Sequence, residues 1–559
     1  MTNVQIPNLG TFDVAYVVTE NDSVYAINAT PPTTGNQCQI LLGPVNLLLN
    51  NLKNQPTMSA VDCHHVGGSS ACTQTIGPTI GVLGTPVINI DTTNNIGTLY
   101  LVAEMQSGTY PYLTYYHFLH ALDITTLHEG IGNARPGAPV QICPTVCGQY
   151  ASSAFSEGHI QRPGLLFANC GSTCGNYVYV SFSMMDGSGW PWHNGVVFAY
   201  NTANLGGSYF YFQTSNGQAD NTSYGGGIWM GGADPAFGPD KNGKNWIYVT
   251  TGNGVYNPNP TPPASPSWGD SFLKLDPDNL VLTADDTGYF TPADQFYRND
   301  PTCSEPYGRD IDYGSGGPML IPDNELTNWP QLAVNGDKEG SLWFVNRTKP
   351  NGISSCAVNT CVNGNLCIFG SPNNVQTYSA STRTIHTSPA YWDSDSTNPA
   401  LSYMYVAAIG GQLTQYTLCG EAAATGPIDY TNCPGHPVGS TNGNGPVNFS
   451  FGTTPAVSAS GPAASDALVW AIDKTDGPAA QGTENGILHA FDALSMTELY
   501  SSNTCAGDAI YPATKRSVPT VANGYVYVGA EQTSGCPGPN CVNTGGGSFY
   551  IFGLGRQCM

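Results

Sequence analysis

Charge is what this 559-residue sequence has least of: Asp, Glu, Lys and Arg together make up 10% of it, against about 25% in an ordinary soluble domain. Bases are the scarcest part, with 16 Lys and Arg against 39 Asp and Glu and a net charge of −23. A surface of that sign repels phosphate backbones and anionic lipid, which excludes nucleic acid and membrane surfaces as partners. Long apolar runs are lacking too. The nearest approach, ILLGPVNLLL at 40–49, falls well short of the roughly 20 residues of a membrane span and carries Gly and Pro. The start, MTNVQIPNLG, has neither the basic end nor the apolar centre of a signal peptide, so an exported form has lost its leader or begins elsewhere. Long amphipathic helices, HExxH and glycine-rich phosphate loops are missing as well.

In place of charge stand Asn, Thr, Ser, Gly and Tyr, which suits an extracellular or periplasmic and acidic setting. Seventeen cysteines are many for a cytosolic chain. Close pairs recur, Cys143 with Cys147, Cys170 with Cys174, Cys356 with Cys361 and Cys536 with Cys541. Gly, Pro, Ser and Asn flank them rather than His, so short disulfide-closed loops are expected ahead of metal sites. Sequons at Asn21, Asn28, Asn221, Asn346 and Asn448 matter only where the source glycosylates them. DCHHV (62–66) puts two histidines side by side, which on a strand would face opposite ways.

One pattern recurs eight times. An alternating strand closes mostly on Asp or Asn: SVYAIN at Asn28, HFLHALD at Asp123, VVFAYN at Asn201, SFLKLD at Asp276, SLWFVN at Asn346, QLTQYT at Thr417, ILHAFD at Asp492 and SFYIFG at Gly553. Seven copies follow a strand start bearing proline: GTPVINI, RPGLLF, DPAFGP, GGPMLI, TSPAYW, TTPAVS and SVPTVA. Each unit therefore holds several short strands with Gly, Asn and Asp at the turns. Such a sheet cannot bury both faces alone, so the units must stack. The closed arrangement is an all-β, eight-bladed β-propeller of four-stranded antiparallel blades, spanning 1–559 as a single domain. The first copy lacks the proline strand, so its blade is expected to be incomplete or completed by the final segment.

The repeated VYAxD-type blade ending resembles that of the quinoprotein alcohol dehydrogenase-like propellers, over nearly the whole chain and most nearly in their uncharacterised secreted members. The enzymes among them hold pyrroloquinoline quinone (PQQ) and Ca²⁺ above the central channel. GGGIWMGG (225–232) is similar to the family's approach to a tryptophan floor, implying that Trp229 underlies the quinone. VTTGNG (249–254) resembles the turn whose amide oxygen ligates Ca²⁺, implying Asn253. DIDYG (310–314) is similar to the loop of the catalytic aspartate, implying Asp312 as general base and as part of the Ca²⁺ site, with Asp310 nearby. NGDKEGSLWFVNR (335–347) resembles the stretch whose basic residue meets the quinone oxygens, implying Lys338, and VYVSFSMMD (178–186) implies Asp186 as a Ca²⁺ ligand. The adjacent Cys-Cys pair and the Cys-x-x-Cys-His haem motif of that family are absent from the sequence.

Each residue also has a structural alternative. Asp312 is a frequent turn residue, Trp229 a packing residue, Asn253 a left-handed turn residue, and Lys338 a surface lysine. GDSF (269–272) has the letters of a nucleophile motif but opens a blade strand. Two functions follow. One is a secreted PQQ- and Ca²⁺-dependent dehydrogenase oxidising an alcohol or sugar hydroxyl, with a separate electron acceptor. The other is a non-catalytic extracellular propeller that contacts glycans, proteins or copies of itself.

Overall fold

Eight antiparallel sheets follow one another along the chain and form an eight-bladed β-propeller, seen in a computed structural model. Described are residues 1–29, 39–48, 57–65, 79–92, 96–129, 137–144, 146–147, 150–169, 175–184, 194–215, 225–257, 266–282, 288–292, 294–295, 298, 311–323, 329–347, 352–353, 374–379, 384–393, 402–418, 443–461, 465–474, 486–504, 508–510, 517–530, 541–543 and 547–553. Among them the longest regular helix is Ser152–Gly158, and no helix is long and apolar enough to cross a membrane.

The fifth blade shows the plan: Met319–Leu320, Leu332–Gly336, Ser341–Asn346 and Asn374–Ser379, paired in that order. Every proline-bearing motif supplies or leads into the first strand of its blade, and every repeated ending falls on the third, or in the first blade on the second of three described strands. First strands of neighbouring blades touch, for instance Ala390–Asp393 with Ala456–Ser458 and Ala456–Ser458 with Thr520–Ala522, which sets them on the inner side of the ring. Proline suits that position because an inner-edge strand has a row of amides without a ladder partner.

Strands that carry the repeated endings are largely buried, Ser23–Asn28 throughout and Ser341–Asn346 up to its last residue. A blade in mid-ring is covered on both faces by its neighbours, so the inside-outside alternation expected from sequence gives way to a continuous apolar run. Clusters such as that of Leu342, Phe344, Met404 and Tyr416 bridge consecutive blades.

Several blades depart from the plan, the eighth because its outer strand, Cys541–Asn543, precedes its third in sequence. The first has three described strands, Val14–Val18, Ser23–Asn28 and Ile40–Asn46. The last strand, Ser548–Gly553, pairs within its own blade, and the ring closes through side chains instead: Tyr25, Ile27 and Ala29 pack on Phe549 and Ile551. In the second blade, Ile96–Thr109 and Tyr112–Asp123 form a hairpin far longer than its counterparts, and its distal half pairs with Met58–Asp62.

Candidate functional site at one mouth of the ring

Antiparallel order decides which loops share a face. The connection into a first strand and the loop from second to third strand both lie at the same end of a blade. Arg162, Trp229 and Asp312 each precede a first strand, while Asn253 and Lys338 follow second strands, Asn245–Thr250 and Leu332–Gly336. All five therefore open on one face of the ring.

Close backbone contact then draws two of these loops together. Gly226 N–H donates to Asn253 O at 2.6 Å, and Gly252 N–H donates to Gly227 O at 2.9 Å. Gly225 has φ +91°, and a Cβ there would sit 2.0 Å from Asn253 O. A Cβ on Gly252 would lie 2.1 Å from Asp312 Oδ1 and 2.8 Å from Trp229 Cδ1. Glycine at 252 is thus what lets the carboxylate and the indole meet.

Asp312 is 5% exposed, and both its carboxylate oxygens are engaged. Asn253 N–H donates to Oδ1 at 2.6 Å, and Lys338 Nζ lies 2.6 Å from Oδ2. The Lys338 amide also donates to Asp312 O at 3.1 Å. Burial pushes the Asp312 carboxyl up, but the Lys338 ammonium, its hydrogen bond, the Asn253 amide and the Arg162 charge together hold it below the usual carboxylate range. The next residues are fixed from beneath: Tyr313 N–H donates to buried Asp270, and Asn335 donates to Tyr313 O.

Trp229 is 8% exposed. The Arg162 guanidinium carbon lies 4.7 Å from its ring centroid, and Arg162 Nε donates to Trp229 O at 3.2 Å. The indole also packs with Val61, Cys63, Ile80, Tyr115 and Ile160, brought over it partly by the extended second-blade hairpin. Lys338's loop has a brace of its own. Fully buried Arg298 contacts Asp294, Asp337 and Glu339, and Asp337 accepts from Trp343 Nε1 and the amides of Glu339 and Ser341.

Of the residues singled out in the sequence, Trp229, Asn253, Asp312 and Lys338 come together here. Asp186 and Asp310 lie outside the described residues, as do the side chains of Cys147, Cys170, Cys174, Cys356, Cys361, Cys536 and Cys541. Asn253 meets Asp312 through its main-chain N–H, and Lys338 pairs with Asp312. No three His, Cys, Asp or Glu among the described residues are placed to share a metal ion. In GDSF, Ser271 Oγ is spent on Gly269 O and Thr291 Oγ1 and Asp270 on Tyr313 N–H, an internal bracing role. His65 stacks on Tyr110 with ring centroids 4.6 Å apart. Arg162 is the residue sequence reasoning missed; it begins the RPGLLF strand motif, where it read only as a strand start.

The chain is similar in structure to quinoprotein alcohol dehydrogenases. A quinohemoprotein alcohol dehydrogenase of Pseudomonas putida HK5 matches at 14% identity over 93% of this chain and 68% of that one, TM-score 0.45. A europium-containing methanol dehydrogenase matches at 12% over 81% and 74%, TM-score 0.28, and Sqt1 of Saccharomyces cerevisiae at 9% over 86% and 96%, TM-score 0.37. No family model and no curated protein matches the sequence. At these identities the likeness is one of chain path, and what the site does rests on its own residues.

Proposed function

We propose that the protein, taken as one propeller over 1–559, is a secreted quinoprotein-type dehydrogenase acting on an alcohol or sugar hydroxyl at this mouth. The observation that carries the reading is the convergence of an indole, an ionised buried carboxylate and two cations on one face of the ring.

That donor set suits PQQ, a flat tricarboxylated quinone: Trp229 offers a π-face, and Arg162 and Lys338 offer countercharges for carboxylate and carbonyl oxygens. It does not suit Ca²⁺ as arranged, because the one described carboxylate at the site already has both oxygens committed. PQQ, when bound, would supply the hydride acceptor. Asp312 would take the substrate's hydroxyl proton on Oδ2. Held by Lys338 it is a weak base. Any anionic group that draws Lys338 away removes its strongest countercharge and raises its basicity toward the working range. Lys338 would stabilise negative charge on the group it meets, Arg162 would orient carboxylates, and electrons would leave to a separate acceptor. An oxidising compartment would suit the seventeen cysteines and their close pairs.

Titration of PQQ against the protein with tryptophan fluorescence tests this. Saturable quenching in the wild type that is lost in Trp229→Phe and weakened in Arg162→Ala and Lys338→Ala is expected. Quenching unchanged in all three variants removes the proposal. The second reading, a binding module without catalysis, is favoured by one observation: Trp229 is 8% exposed with a guanidinium already over it.

A further inference from the structure

The joint between the first two blades buries two acids, with one histidine but no Lys or Arg paired to them among the described residues. Asp22 closes the turn between Val14–Val18 and Ser23–Asn28 in the left-handed region, with φ 60° and no exposure. Its main chain is tied down: the amide donates to Thr19 O at 3.1 Å, and its carbonyl accepts from Leu47 at 2.8 Å. Neither carboxylate oxygen has a hydrogen-bond donor among the described residues. Val24, Leu47, Val82, Leu101 and Met105 belong to one apolar cluster that joins the two blades here.

The groups facing Asp22 sharpen the problem. From the second blade's strand Ile96–Thr109 comes Glu104, 2% exposed, whose charge acts directly on Asp22. From Tyr112–Asp123 comes buried His117, with Nε2 3.3 Å from Glu104 Oε2, and Tyr115, which feels Glu104, Glu157 and Asp62. The turn itself contributes Glu20, and a Cβ on Gly81 would lie 2.5 Å from Glu20 O and 2.7 Å from Asp22 Oδ1, so the second blade's approach leaves no room for a side chain there. Neither Asp22 nor Glu104 pairs with a Lys or Arg among the described residues. A bare carboxylate in such a place is costly, whereas a protonated one needs little solvation.

We propose that Asp22 and Glu104 form a pH-sensitive clasp between the first two blades, closed while these carboxyls carry protons and released as they ionise. Burial, then the neighbouring Glu104, pushes Asp22 well above the ordinary range; burial pushes Glu104 up, partly countered by His117. In the window between the ordinary carboxyl value of about 4 and the raised folded value, the folded state binds more protons than the unfolded one. The stabilisation is therefore complete below that window and lost as pH rises through it. A chain with few charges and an excess of acid is thus tightest in acid at this joint.

The test compares melting of the wild type, Asp22→Asn and Glu104→Gln across pH 4.5 to 8. Asn tolerates the left-handed turn, so the first variant keeps its backbone. The wild type and Asp22→Asn should melt within a degree or so at the acid end, with the variant gaining roughly 2 °C or more by pH 8. A difference constant across pH overturns the proposal. If Asp22→Asn does not fold, Glu104→Gln carries the same comparison. Infrared spectroscopy gives a direct reading: the wild type near neutral pH should show a protonated-carboxyl stretch that Glu104→Gln alters, and its absence also overturns the clasp.

Discussion

Lys338 Nζ stands 2.6 Å from Asp312 Oδ2 in a setting where neither side chain is more than 12% exposed. Twenty-six positions separate them in sequence, yet both belong to the fifth blade, one before its first strand and one after its second. Removing one member of such a pair leaves a buried charge uncompensated. Lys338→Met should cost about 3–5 kcal/mol in denaturant unfolding. The double variant Lys338→Met with Asp312→Asn should recover most of that loss.

The same pair fixes a pH dependence of opposite sign to that of the clasp. Because Asp312 is held below its ordinary value, its stabilisation is present above the unfolded carboxyl pKa and is lost as pH falls through the folded one. Acid unfolding followed by fluorescence should therefore be less steep in Asp312→Asn than in the wild type. An unchanged acid limb would show that the ion pair contributes nothing to folding.

The mouth was largely legible in the sequence, and for a physical reason. Antiparallel blades send every first-strand entry and every second-to-third loop to one face, so motifs at those places converge once the ring is recognised. Arg162 was missed because its role is made by Trp229, which stands one blade further on. The pairing of Lys338 with Asp312 was missed because each was assigned to an external group, and two opposite charges in a low-dielectric site meet each other first. The long second-blade hairpin gave no sign of its reach, since HFLHALD reads the same in a short strand as in Tyr112–Asp123.

Gly252 offers a steric test. Gly252→Ala drives a methyl group against Asp312 Oδ1 and Trp229 Cδ1, and should destabilise by about 1–3 kcal/mol with a shifted tryptophan emission. Gly461→Ala, where the new methyl meets nothing within 4 Å among the described residues beyond its chain neighbours, should melt like the wild type.

Arg298 holds the Lys338 loop from behind through three carboxylates. Arg298→Lys keeps the charge but not the fork that reaches Asp294, Asp337 and Glu339 together. It should lower the melting temperature and weaken any ligand that depends on Lys338. Hydrogen exchange at 337–340 measures the loosening directly.

Alcohol oxidation at this mouth, as proposed, is open to direct assay. PQQ-dependent, dye-linked oxidation of primary alcohols and sugars by purified wild type and Asp312→Asn, with and without added Ca²⁺, addresses it most directly. Expected is activity in the wild type that needs PQQ and falls at least about 100-fold in Asp312→Asn, while PQQ still quenches the variant's tryptophan fluorescence. Equal turnover by the two proteins, or PQQ bound by the wild type with no substrate oxidised, would contradict it.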